Sequence, residues 1–141
     1  MTEQEFLKTY DSSKYEKPSV TADILIFTVN EEHELELLLI KRGGHPFLGK
    51  WAIPGGFVGI DESVEDAATR ELKEETSLEH IYLEQLYTFS AVDRDPRMRV
   101  ISIAHMALVP RNSLKIEAGD DASEACLFVV TQTQKGFVFT S

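Results

Sequence analysis

The sequence predicts a mixed α/β domain in which strands dominate and one acidic helix is inserted between sheet segments. Three observations predict it. β-type apolar runs recur from Val20 to Phe139, residues 62–76 hold neither glycine nor proline and are rich in helix formers, and the connecting segments are polar or glycine-punctuated. A largely mixed or antiparallel sheet follows.

Residues 2–9 carry a short helical pattern, and Lys17-Pro18-Ser19 breaks it into extended chain. Val20–Val29 and Leu35–Ile40 are apolar runs separated by the polar Asn30-Glu31-Glu32-His33-Glu34, the layout of a hairpin. Both runs are too apolar for a sheet with one wet face. A loop with Gly43, Gly44, Pro46 and Gly49 leads to a short strand around Trp51-Ala52-Ile53, which stops at Pro54-Gly55-Gly56. Residues 62–76 form the helix, with Asp61 as its N-cap and Glu62 and Glu65 in the first turn, where they favour the helix dipole. Ile81–Phe89 and Val100–Val109 form a second strand pair around a turn at Asp93-Arg94-Asp95-Pro96. Ala125–Val130 is a last apolar strand, followed by a polar turn and Phe137-Val138-Phe139. Residues 1–17 read as an N-terminal extension and residues 18–141 as one domain.

A length of 141 residues suits a single globular domain. No stretch approaches the ~18 consecutive apolar residues of a membrane helix, and the N-terminus lacks a signal-peptide layout, so a cytoplasmic protein is expected. Cys126 is the sole cysteine, and its apolar neighbours mark it as a small buried hydrophobe. With 14 Lys and Arg against 24 Asp and Glu, the net charge of −10 makes this chain, taken alone, a poor binder of nucleic acid backbone, and no nucleic acid partner is expected for it. Between Asp61 and Glu75 stand seven acids and two bases, so half of that net charge lies in the helix and its cap.

Projected at about 100° per residue, Val64, Ala67 and Ala68 share one narrow sector, and Glu71, Glu74 and Glu75 fall in the same sector. Leu72 sits to one side of it. Glu-rich helix segments are usually solvated faces, but a solvated face does not share the core's stripe. Glu71 and Glu75 are like charges at i,i+4, which mildly destabilises a helix unless something positive lies between them. Three carboxylates at the edge of a buried stripe suit a hard divalent cation, Mg²⁺ or Mn²⁺, which prefers oxygen ligands and shares its shell with a phosphate-bearing substrate. Pro54-Gly55-Gly56 precedes the helix and lets backbone approach a metal or phosphate closely.

The spacing Gly56, five residues, Glu62, seven residues, Arg70-Glu71-Leu72, one residue, Glu74-Glu75, one residue, Ser77-Leu78 resembles the Nudix box, G-x5-E-x7-R-E-U-x-E-E-x-G-U with U aliphatic. Only Ser77 departs, standing where the family has glycine. The flanks Leu38–Arg42, Trp51–Val58, Tyr82–Phe89 and Arg94–Arg97 resemble a subgroup that mixes ADP-ribose pyrophosphatases with Nudix-related transcriptional regulators. The likeness covers about residues 18–130.

This resemblance implies a Nudix α/β/α sandwich around a mixed sheet and metal-dependent hydrolysis of a nucleoside diphosphate derivative, for ADP-ribose giving AMP and ribose 5-phosphate. It makes Glu71, Glu74 and Glu75 metal ligands, joined by a backbone carbonyl near Gly55 or Gly56, with Mg²⁺ or Mn²⁺ as cofactor. Glu71 is also its candidate base, Arg70 its organiser of carboxylates through ion pairs, and Glu62 an outer ligand or alternative base. Softer candidates for substrate binding are Arg42, Arg94 and Arg97 for phosphates or the terminal ribose, Phe47 for stacking on adenine, and Gly55. Trp51 and Tyr87 read as core residues. His33, His45, His80 and His105 lack zinc spacing, and His105 reads as a packed strand residue.

The competing reading is a ligand-sensing Nudix domain of a longer DNA-binding regulator that binds an ADP-ribose-like metabolite with little or no turnover. No helical apolar period follows residue 111, whereas Nudix domains commonly close with a C-terminal helix. The chain therefore reads as truncated at its C-terminus, or as closed by a strand or a partner subunit. Exposed Phe137 and Phe139 would then favour a homodimer.

Overall fold

The computed structural model describes residues 1–114 and 122–141. Its elements are α1 (Glu3–Thr9), β1 (Ser19–Val29), β2 (Leu35–Arg42), β3 (Trp51–Ala52), β4 (Gly55–Phe57), α2 (Val64–Thr76), β5 (Glu84–Phe89), β6 (Val100–Leu108), β7 (Ala122–Thr133) and β8 (Gly136–Thr140). The strands form one sheet in the order β5-β6-β1-β2-β7-β8, with β3 paired to β2 and β4 paired to β1. β1 and β6 run parallel and the other pairs antiparallel, so the sheet is mixed as expected.

Strand alternation decides the core. Ala22, Ile24 and Ile26 of β1 are fully buried and pack with Leu38, Leu127 and Ala107 against Ala67, Ala68 and Leu72 of α2. Leu72 thus belongs to the packed face, not to its side. The opposite face of β1 is only half-buried. It is partly covered around Leu37 and Phe128, where the Trp51 ring meets Phe128 edge-on at 4.9 Å. The expectation of two covered faces therefore holds for one. α1 buries no residue; a Thr2–Glu5 capping box holds its first turn.

β1 and β2 pair only from Phe27 to Val29 and then diverge. Residues 51–57 fill the gap, since β3 binds β2 through Ala52 and Trp51 while β4 binds β1 through Gly55, Gly56 and Phe57. Pro54 sits buried between them, where it needs no amide donor, and its carbonyl accepts the Ile24 N–H at 2.9 Å. This wedge places the glycine pair beside both the helix and the sheet.

The N-cap of α2 corrects the expectation. Ser63, not Asp61, is the cap, accepting the Asp66 N–H at 3.0 Å, so Glu62 lies outside the first turn. The reason is a turn before it: the Glu62 N–H bonds the Gly59 carbonyl at 3.3 Å, and the Glu62 carboxylate accepts the Gly59 N–H at 2.8 Å. At the other end Ser77 takes the left-handed conformation, φ 64°, that the family assigns to glycine. Its N–H bonds the Lys73 carbonyl at 2.7 Å, and Thr76 Oγ1 accepts the Leu78 N–H at 3.1 Å, which closes the helix without glycine.

Candidate active site

The acidic end of α2 is organised by one guanidinium. Arg70 Nη2 pairs with Glu62 Oε1 at 2.8 Å, and Nη1 with Glu71 Oε1 at 2.9 Å and Glu74 Oε1 at 3.6 Å. Nη2 also donates to the Phe57 carbonyl at 3.2 Å, tying the helix to the end of β4. The positive group that the like-charged glutamates require is therefore present. The Arg70 and Gly59 hydrogen bonds hold the Glu62 carboxyl below its ordinary range, and the same ion pairs raise Arg70.

Glu71 differs. It is buried at 8% exposure, and burial first, then repulsion from Glu74, pushes its carboxyl above the ordinary range despite Arg70. Glu74 is exposed and Glu75 half-buried. No three His, Cys, Asp or Glu side chains among the described residues close a metal-binding cluster; Arg70 lies where Glu71 and Glu74 approach. The residues nevertheless fit a hard cation. Glu71 is a buried carboxylate that its neighbours neutralise incompletely, the donors are all oxygens, and a Cβ on Gly56 would run into the Glu71 carboxylate. Only glycine leaves that space open.

Across β4 lies a cavity of about 320 Å³. Arg42, Phe47, Gly55, Gly56, Arg94 and Arg97 all line it. Arg42 Nε donates to the Pro46 carbonyl at 2.7 Å. Phe47 is 54% exposed, with φ 61°. Arg97 clasps Asp95 through Nε at 3.1 Å and Nη2 at 2.9 Å and lies 5.8 Å from the Phe57 ring centroid. That clasp lowers the Asp95 carboxyl to about 2.

Sequence reasoning missed Thr21, Asp23, Phe57 and Ser102, which line the same cavity. Asp23 and Ser102 interrupt apolar strands, and that interruption was the available signal. Burial raises the Asp23 carboxyl, opposed by hydrogen bonding from Ser102 and by Arg94. Tyr87 corrects another expectation: it lies on the edge strand β5, 62% exposed, with its ring 4.9 Å from Phe89. His105 is buried as expected, and Cys126 is half-buried.

A mixed sheet split by a Pro-Gly-Gly wedge, with an arginine-organised acidic helix beside it, defines a Nudix domain. The NUDIX domain family profile matches residues 18–138, and the chain belongs to that family. It is 42% identical over 135 residues to the ADP-ribose pyrophosphatase of Methanocaldococcus jannaschii, a match covering 94% of this chain and 76% of that one. The ADPR responsive transcriptional repressor NtrR of Acinetobacter baylyi is 38% identical over 110 residues, covering 77% of this chain and 44% of its own. Among solved structures, the NUDIX domain of Shewanella oneidensis NrtR complexed with ADP ribose superposes with a TM-score of 0.78 at 34% identity, covering 92% of this chain and 84% of that one.

Proposed function

We propose that this chain hydrolyses the diphosphate bond of a nucleoside diphosphate derivative, with ADP-ribose as the substrate, giving AMP and ribose 5-phosphate. The observation that carries it is the intact Glu62, Arg70, Glu71 and Glu74 network around a Gly56 whose missing Cβ leaves room beside Glu71. Relatedness to a pyrophosphatase over 94% of the chain supports the same reaction.

Glu71, Glu74, Glu75 and the Gly56 carbonyl would hold Mg²⁺ or Mn²⁺. When bound, the cation neutralises the diphosphate and lowers the pKa of water. Glu71 accepts the proton of the attacking water. Arg70 keeps the carboxylates aimed, with Glu62 as its outer anchor. Arg42, Arg94 and Arg97 face the substrate's charge from the cavity, Phe47 stacks on the base, and the Gly55 backbone admits the ligand closely.

The repressor match favours a second reading, a sensing domain that binds ADP-ribose without turnover. AMP release from ADP-ribose with Mg²⁺ decides between them, comparing wild type with Glu71→Gln and Glu74→Gln. Fast, metal-dependent release lost in both variants establishes the hydrolase; tight binding without AMP establishes the sensor.

We place the domain at residues 18–141, after an extension over 1–17, in the cytoplasm and without nucleic acid as a partner of these residues. The exposed Phe137 and Phe139 of β8 support a homodimer. No described helix is long and apolar enough to cross a membrane.

A further inference from the structure

The cavity holds a polar chain on the sheet side that the acidic helix does not touch. Arg94 Nη1 donates to Ser102 Oγ at 2.6 Å, and Ser102 Oγ lies 2.6 Å from Thr21 Oγ1. Thr21 Oγ1 in turn lies 3.5 Å from Asp23 Oδ2. Proton bookkeeping gives this chain a direction. Arg94 can only donate, so Ser102 accepts from it; the two hydroxyl protons then run between Ser102 and Thr21 and on to Asp23. With Ser102 donating to Thr21 and Thr21 donating to Asp23, the chain ends on the carboxylate, which accepts.

Placement adds a second observation. Ser102 is 2% exposed, and Asp23 stands beside Gly55, where a Cβ would strike the Asp23 carboxylate and come within 2.6 Å of the Ala22 carbonyl. The two glycines thus clear space for two carboxylates, Gly56 for Glu71 and Gly55 for Asp23. Arg94 and Arg97 come from one loop and differ in what they hold. Arg97 is committed to the carboxylate of Asp95, whereas Arg94 rests on a neutral hydroxyl through one of the five N–H groups a guanidinium carries. Of the two arginines of that loop that line the cavity, Arg94 is the one without a direct ion pair among the described residues.

We infer that Asp23, Thr21 and Ser102 form an anchor that pins Arg94 over the cavity, so that this sheet-side chain sets affinity for the anionic ligand, while turnover belongs to α2. Asp23 and Ser102 are positioning residues that act through Arg94. The affinity half of the inference rests on the proposed reaction.

The test is a double-mutant cycle on the full chain with ADP-ribose and Mg²⁺, using Ser102→Ala, Arg94→Ala and both together. Either single change is expected to raise KM about tenfold with kcat within about twofold, and the double variant to be no worse than Arg94→Ala alone. Multiplying effects in the double variant, or a fall in kcat at unchanged KM, overturns the inference. Guanidinium NMR of the ligand-free protein reads the anchor without any substrate. Hindered rotation of the Arg94 guanidinium in wild type, released in Ser102→Ala and in Asp23→Asn, supports it; free rotation in wild type overturns it even if a variant fails to fold. A wild type that neither binds nor hydrolyses ADP-ribose overturns the proposed reaction and the affinity half with it, and the NMR result still decides the anchor.

Discussion

Gly55 and Gly56 are neighbours in β4, and each faces a different carboxylate. On the helix side Glu71 meets Arg70, which also gathers Glu62 and Glu74; on the sheet side Asp23 meets hydroxyls, and Arg94 and Arg97 come down from a loop. The helix side concentrates negative charge around one half-exposed guanidinium. The sheet side spreads arginines over a cavity and tethers them individually. Such a division suits a ligand that carries a metal-bound diphosphate on one flank and needs positive charge on the other. Under the proposed function it also separates the chemistry from the recognition, which makes the two sides breakable one at a time.

The largest effect is expected from Glu71→Gln. It keeps the shape and removes the charge, so AMP release should fall by about 10²- to 10⁴-fold, while the thermal midpoint holds or rises because burial already disfavours the charged form. An unchanged rate would take the base away from the helix side.

Alanine at the two glycines sharpens the contrast. At Gly55 the new Cβ would meet backbone, the Ala22 carbonyl at 2.6 Å and Asp23 Cα at 2.8 Å, which cannot swing aside. Gly55→Ala should therefore cost about 1–3 kcal/mol in urea unfolding. At Gly56 the obstacle is the tip of the Glu71 side chain, which can move. Gly56→Ala should spare stability more and activity less. Equal stability losses in the two variants would break the distinction.

Ser77→Gly tests the end of α2. Serine holds φ 64°, a conformation glycine adopts without strain, so the change should stabilise the domain by about 0.5–1 kcal/mol and raise the thermal midpoint by roughly 2–4 °C.

The smallest effect belongs to the Asp95–Arg97 clasp. Its folded pKa is depressed to about 2 from an ordinary 3.8, so its contribution is present above the ordinary value and is lost as pH falls through about 2. Arg97 is 46% exposed, and solvent screening limits the pair to about 0–1 kcal/mol. Asp95→Asn should remove that much of the acid dependence in pH-titrated unfolding.

The two sides of the site also differ in how far they could be read in advance. The helix side was legible because Arg70, Glu71 and Glu74 share one helix turn, with Arg70 and Glu74 at i,i+4, and because Glu62 stands eight residues before Arg70 in the spacing of the family pattern. Even there the cap shifted from Asp61 to Ser63, since the Glu62 carboxylate takes the Gly59 amide. Arg42, Arg94 and Arg97 were legible as candidates from their loops, but their tethers were not. Thr21 and Ser102 meet only because β1 and β6 pair in parallel across 81 residues, and nothing local announces that register. Tyr87 failed for a related reason, because an apolar-looking strand is exposed when the sheet makes it an edge.

Residue type and spacing over a few turns of chain are enough to specify the strands, the acidic helix, the turn glycines and the family. Tertiary structure alone decided that β1 parts from β2, that Pro54 wedges the gap, and that Asp23, Ser102 and Arg94 share one cavity. Those outcomes depend on which distant strands pair, and pairing is settled by the burial of the whole sheet against α2, not by any one segment.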